Sequence, residues 1–298
     1  MYEKENLIDL KQILAAPGEK ISLKDYKTGY CGDYKDKDEA KDKLEDDIKK
    51  LQKLQYRLYA ENRHALLIVL QAPDAAGKDG AIRHVMSGIN PQGTQVFSFK
   101  QPSQEELDHD FLWRCTKALP ERGRIGIFNR SHYEEVLVVK VHPEYLMSQN
   151  LPGITSVSDI PPGFWKSRYE QINNWEKHLS DNGTVVVKFF LHLSKEEQKE
   201  RFLARIDDED KNWKFSKADM SERGYWDDYI KAYEDMLSYT STEWAPWYII
   251  PADKKWFSRT AIGDIVVRTL EKINPQIPEV SEADRAKLME IKKTLEEE

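Results

Sequence analysis

Lys78 follows Gly77 at the end of a small-residue loop, APDAAGKD, which separates an apolar run, ALLIVL at 65–70, from a stretch of helical character. A strand, a tight loop and a helix in that order gather backbone N–H groups, a helix N-terminus and one lysine around a single point, a way of holding linked phosphates. The spacing approaches the P-loop pattern G-x-x-x-x-G-K-[ST], with Ala72 at the first glycine and Asp79 at the hydroxyl that ordinarily reaches Mg²⁺. Lys78 still supplies its charge, so the metal needs another ligand, and Asp74 inside the loop is the candidate. Ala75, Ala76, Gly77, Asp79 and Gly80 complete the cradle. Gly77 lets the backbone approach a phosphate closely, and Arg83, one helical turn beyond Lys78, reads equally as a cation reaching the same anion or as an exposed helix arginine.

Two further clusters could serve that chemistry. FNRSHYEEVL, residues 128–137, begins where a third β run ends, the position at which a polar side chain faces the metal beside a P-loop. Asn129 occupies it, and Arg130 beside it offers a planar fork of donors suited to phosphate. Ser131 with Glu134 three residues on also reads as a capping box, which explains that pair but not Asn129 and Arg130. His132 reads as a packing or surface histidine rather than a general base, since transfer to an ionised phosphate needs no strong base. The second cluster, residues 201–223, interleaves Arg201, Arg205, Lys211, Lys214 and Arg223 with acids and two aromatics. It reads either as a lid that closes over phosphates or as a salt-bridged surface hairpin.

These residues need a scaffold, and the hydrophobic pattern supplies one. Apolar β-type runs recur at 65–70, 94–99, 124–128, 184–191 and 247–251 with helical patterns between them. The alternation predicts an α/β fold, a three-layer α/β/α sandwich on a five-stranded parallel sheet, with ligands beyond the carboxyl ends of the strands. Residues 34–62 read as an amphipathic helix, with Leu44, Ile48, Leu51, Leu54 and Leu58 on its apolar face.

Composition narrows the function classes. A chain of 298 residues, 40% hydrophobic, builds its core without staples, and Cys31 and Cys115 have neither disulfide nor zinc spacing, which fits a reducing cytoplasm. No run approaches the ~20 apolar residues that span a bilayer, and the N-terminus has no apolar signal core. A net charge of −7 argues against generic nucleic-acid binding, so an anionic substrate must be met by a local basic patch.

Taken in order, APDAAGKD (72–79), FNRSHYE (128–134), RFLARID (201–207), WKFS (213–216), WDDY (226–229) and APWYIIPAD (245–253) resemble the family-2 polyphosphate kinases, over about residues 20–275. The resemblance implies a thymidylate-kinase-like P-loop domain over 1–298, with an N-terminal helical extension to about 62 and a helical lid at about 201–225. It implies transfer of the terminal phosphoryl group of inorganic polyphosphate to a nucleotide, reversibly, with Mg²⁺ or alternatively Mn²⁺. Carried over position by position, Asp74, Lys78, Arg130 and Arg205 match the catalytic residues, with Asp74 and Asn129 toward the metal. Asn129 departs from an aspartate found in many members. The loop residues, Arg83, Lys211, Lys214 and Arg223 fall on the phosphate side, and Asn129, Arg130, Ser131, Tyr133 and Glu134 on the nucleotide side. FNRSxYEE is similar to the subgroup that accepts AMP as well as ADP, in which Glu134 helps admit the shorter nucleotide. Adenine nucleotides are the expected partners, guanine nucleotides an alternative, and a homo-oligomer the expected assembly. Two other readings keep the P-loop: an ATP-dependent nucleoside monophosphate kinase, and a module that binds nucleotide or polyphosphate without turnover.

Overall fold

The computed structural model describes residues 7–210, 212–215 and 217–298; Lys211, one of the expected lid cations, lies outside the described residues. Six strands form one sheet: β1 (Leu14–Ala15), β2 (Ala65–Gln71), β3 (Thr94–Ser98), β4 (Ile125–Asn129), β5 (Thr184–His192) and β6 (Trp247–Pro251). Their spatial order is β1-β6-β5-β2-β4-β3. The five strands expected from the sequence run parallel to their neighbours. The sixth, β1, pairs antiparallel with β6 and corrects the all-parallel, five-stranded expectation; a strand of two residues carries no periodicity to read.

Why β2 is central follows from its composition. All seven of its residues are buried, as a parallel strand covered on both faces demands. Leu66, Ile68 and Leu70 point into one apolar core, and Leu67 and Val69 into the other. The first core lies beneath α1 (Lys37–Glu61), α2 (Lys78–Val85) and a late helix, Lys255–Ile273. The second lies beneath α3 (Phe164–Asp181) and a helix at Trp226–Thr240. Between those two helices in chain order come α4 (Lys195–Asp207) and α5 (Lys217–Gly224). The helices Trp226–Thr240, Lys255–Ile273 and Glu282–Glu297 are therefore α6, α7 and α8.

The N-terminal helix α1 starts where Asp36 accepts hydrogen bonds from the N–H groups of Asp38 and Glu39, and it stops at Asn62 in a left-handed conformation. Its Leu44, Leu51 and Leu58 are buried against the first core, while Lys43 bridges Asp47 on α1 and Asp264 on α7. That anchors the layer from which α2 carries the P-loop. Among the described residues no helix is long and apolar enough to cross a membrane.

The carboxyl ends of β2, β3, β4 and β5 open on the same edge of the sheet. In register, Leu70 lies between Asn129 of β4 and Phe189 of β5, and Ser98 lies beside Asn129. This is the edge at which parallel sheets place their ligands.

Candidate active site

Residues 72–77 connect β2 to α2 in a loop whose backbone is held from behind. Gln198 of α4 donates to the Asp74 carbonyl at 3.0 Å. One turn on, Arg201 donates to the carbonyls of Ala75 and Ala76 at 3.1 and 2.9 Å, and to those of Ala252 and Asp253 at 2.6 and 3.1 Å. Gly77 turns into α2 at φ +105°, a conformation that favours glycine. The first N–H groups of α2, at Lys78 to Gly80, are those a helix leaves without an internal partner, and Lys78 and Asp79 line the cleft.

Ala75 and Arg130 share an unusual feature: both are non-glycine residues at positive φ, +62° and +63°. Each costs of order 1 kcal/mol or more in backbone strain, which a fold tolerates where the surrounding structure fixes it. Arg130 is fixed by its N–H to the Leu70 carbonyl at 3.1 Å, and Ala75 by Arg201. The remaining positive-φ non-glycine residues among those described are asparagines, the residue type that tolerates this region best.

The side chains then converge. Arg130 bridges Asp74 at 3.0 Å and Glu134 at 3.3 Å. Glu134, ahead of a smaller contribution from Asp74, raises the guanidinium's proton affinity further against the cost of burial. Lys78 is half-buried and donates to the Ala72 carbonyl at 3.0 Å. Burial, followed by the neighbouring charge of Arg130, pushes its pKa below the ordinary lysine value, and Asp74, Glu134 and Asp79 pull it back only in part. Asn129 donates its amide to Asp79 at 2.8 Å, tying the end of β4 to the first turn of α2.

Three cavities meet here, and Arg130 lines all of them. An open channel of about 1210 Å³ runs past the P-loop, Lys78, Arg201 and Arg205. A pocket of about 470 Å³ lies between the segment after β3, from Phe99 to Arg114, and the segment after β4. A narrower cleft of about 270 Å³ separates Asp74 and Glu134 from α5 and α6.

Several expected site residues sit elsewhere than the sequence suggested. Tyr133 is a core residue: its ring packs on Trp247, its hydroxyl donates to Glu176 at 2.7 Å and accepts from Lys188 at 2.8 Å, and it lines none of these cavities. The capping-box reading of Ser131 and Glu134 is corrected too. Ser131 is buried and accepts from the N–H of Tyr133, whereas Glu134 turns to Arg130 inside a short 3-10 turn, His132–Val136. Arg83 is exposed on α2, where its charge bears on Arg259. Arg223 reaches the edge of the narrow cleft but donates to Gln198 and to the Lys195 carbonyl. Lys214 closes the turn Asn212–Lys214 after α4.

Gln198 was not read from the sequence as a site residue, and Arg201 was read only as one of a group of cations. Their spacing with Phe202 and Arg205 along one helical face, i, i+3, i+4 and i+7, was the available signal. Glu222 was missed as well: it accepts from Tyr229 at 2.6 Å and lies 3.0 Å from Nε2 of His142, fastening α5 to the segment after β4.

Hard oxygen donors face the channel at Asp74, Asp79 and Asn129. Among the described residues no cluster of three or more His, Cys, Asp or Glu can enclose a metal. This donor set fits a magnesium-type ion, which binds through one or two carboxylates and fills its shell with water and substrate phosphate oxygens.

A P-loop on an α/β sheet, with a lysine and arginines around one point, is the arrangement of a P-loop phosphotransferase. The family model described as Polyphosphate kinase 2 (PPK2) matches residues 34–278. The ADP-polyphosphate phosphotransferase of Rhodopseudomonas palustris is 53% identical over 288 residues, covering 97% of this chain and 99% of that protein. The AMP/ADP-polyphosphate phosphotransferase of Meiothermus ruber is 46% identical over 242 residues, 81% of this chain and 85% of its own. The crystal structure of polyphosphate kinase 2 from Arthrobacter aurescens superposes with a TM-score of 0.82 at 38% identity, covering 92% of this chain and 94% of that one. The chain belongs to the polyphosphate kinase 2 family.

Proposed function

We propose that this protein transfers the terminal phosphoryl group of inorganic polyphosphate to AMP and to ADP, reversibly, in the cytoplasm. The observation that carries the reading is the convergence of three cavities on Arg130, beside Lys78, whose charge is disfavoured by burial and by Arg130. The names of the relatives from R. palustris and M. ruber support the acceptors.

In this reading the polyphosphate lies in the open channel, its terminal phosphate on the N–H groups at the start of α2 and on Lys78, with Arg205 further out. The nucleotide fills the pocket between Phe99 and Gln149, its phosphate at Arg130. An acceptor phosphate oxygen forms the new P–O bond as the bond to the penultimate phosphate breaks, and a polyphosphate one unit shorter departs. Both partners are anions, so the main task of Lys78, Arg130 and Arg205 is to neutralise charge where they meet. A bound Mg²⁺, or Mn²⁺ in its place, held through Asp74 with Asn129 or Asp79 nearby, supplies further charge neutralisation and orients the phosphates. The segment 201–225 acts as a lid that excludes water, and copies of the chain associate as a homo-oligomer.

The test offers purified protein, with Mg²⁺, either polyphosphate or ATP as donor and AMP, ADP, GMP or GDP as acceptor. Formation of ADP from AMP and of ATP from ADP with polyphosphate supports the reading. Phosphorylation of AMP from ATP alone, with no use of polyphosphate, makes the protein an ordinary nucleotide kinase. Binding without turnover makes it a sensor.

A further inference from the structure

One buried side chain, that of Gln198, connects the P-loop to α5 of the expected lid. Gln198 is 4% exposed, and both ends of its amide are used. Its NH₂ group donates to the Asp74 carbonyl at 3.0 Å, and its oxygen accepts from Arg223 of α5 at 2.7 Å. Arg223 also donates to the Lys195 carbonyl at 2.9 Å, so the end of α5 is fastened to the start of α4. On the other side of this turn, Glu222 is held by Tyr229 and His142. The chain of contacts therefore runs from α5 through Arg223 and Gln198 to the backbone of Asp74, and from the Asp74 side chain to Arg130.

The link falls at a strained place. Asp74 precedes Ala75, which sits at φ +62°, and Arg201 already holds the carbonyls of Ala75 and Ala76. A peptide held by its carbonyl cannot rotate without breaking that hydrogen bond, so Gln198 fixes the one peptide of the 74–76 stretch that Arg201 does not reach. A buried amide with both ends satisfied is also orientation-specific. Turning it over would set its NH₂ against a guanidinium and its oxygen against a carbonyl, two repulsions in place of two bonds.

We propose that Gln198 is a positioning residue that couples the seating of α5 to the conformation of the P-loop at Asp74, so that displacement of Arg223 releases the Asp74 peptide. Gln198 touches neither substrate; it acts through Asp74. The catalytic consequence rests on the phosphotransfer reading above, whereas the mechanical coupling does not.

The test uses the full-length protein with two Gln198 variants, and with Arg223→Gln alone and in combination. Gln198→Leu removes both bonds. Gln198→Glu keeps an acceptor for Arg223 but sets a carboxylate oxygen against the Asp74 carbonyl. Hydrogen exchange of the ligand-free protein is read at residues 72–80 and 217–224. In Gln198→Leu, exchange rises at least about fivefold in both segments while residues 199–207 of α4 stay within twofold of the parent. In Gln198→Glu the rise is confined to 72–80. In transfer assays both variants lower kcat at least about tenfold, or ~1.4 kcal/mol, with KM for nucleotide within twofold. Arg223→Gln combined with Gln198→Leu loses no more than the worse single variant, the mark of one shared pathway. Unchanged exchange at 72–80 in Gln198→Leu overturns the proposal. So does loosening of α4 itself, which would make Gln198 a packing residue. Exchange that behaves as expected in protein that transfers no phosphate would instead retire the phosphotransfer reading and leave the coupling standing.

Discussion

Two lysines, one within the sheet and one at its carboxyl edge, sit beside carboxylates and an arylhydroxyl or guanidinium group, and they are built in opposite ways. Lys188, in the middle of β5, is fully buried and donates all three protons, to Tyr133 at 2.8 Å, to Glu176 at 2.5 Å and to the Thr240 carbonyl at 2.7 Å. Glu176, also fully buried, is shared with His132 at 3.3 Å. Lys78, at the end of the neighbouring strand's loop, donates to one carbonyl and faces a second cation, Arg130, which holds the nearby carboxylates Asp74 and Glu134 for itself. The first arrangement is complete and has no capacity for a ligand. The second leaves the Lys78 ammonium half-buried with one carbonyl acceptor, so that burial disfavours its charge and a bound anion would restore it. A charge cluster is therefore informative through its unfilled valences rather than its composition.

The largest expected effect lies at the completed network. Lys188→Met leaves Glu176 buried without its main partner and should cost about 3–5 kcal/mol of stability in denaturant unfolding, whereas Lys188→Met with Glu176→Leu should recover much of that loss. A cost under about 1 kcal/mol for the single change would erase the contrast. At the open site the loss should appear in rate. Arg130→Lys keeps the charge but not the fork that spans Asp74 and Glu134, and should lower transfer about a hundredfold, ~2.7 kcal/mol, at unchanged stability. Activity near the parent's would show that charge alone suffices there.

The contrast also bears on what the sequence made legible. The strands were readable because β2, β4, β5 and β6 are buried nearly throughout, and burial on both faces leaves an apolar run with no alternation. Asp74, Lys78 and Arg130 were readable because strand, loop and helix succeed one another within a few residues. Tyr133 was misplaced because a 3-10 turn of five residues gives no period from which to tell inside from outside. Lys188 and Glu176 were passed over, although a lysine inside TVVVKFFLH was a signal that a buried charge must find a partner. That partner lies 12 residues earlier on α3, and only the packing of α3 on β5 brings the two together.

Smaller effects sharpen the site. Glu134 pairs with Arg130 on the side of the pocket proposed for the nucleotide, so Glu134→Asn should reduce transfer to AMP about tenfold, ~1.4 kcal/mol, and transfer to ADP clearly less. Parallel losses with both acceptors would remove Glu134 from acceptor choice. The smallest effect concerns pH. Because the Lys78 ammonium titrates below its ordinary 10.5, its charge is present at low pH and is lost on the alkaline side earlier than for an exposed lysine. Affinity for a short polyphosphate should fall by about threefold or more on the alkaline side, before pH reaches the ordinary lysine range, and Lys78→Arg, charged throughout, should flatten that fall. An identical fall in both proteins would assign the titration to another group.

The unfilled valences of Lys78 are tested most directly by Lys78→Met, with transfer from polyphosphate to ADP and the melting temperature measured on the same preparation. Removing a cation that has one carbonyl partner and a repelling arginine should leave the melting temperature unchanged or slightly raised, while the rate falls at least about a thousandfold, ~4 kcal/mol. A rate within threefold of the parent, or a melting temperature that collapses as for Lys188→Met, would contradict it.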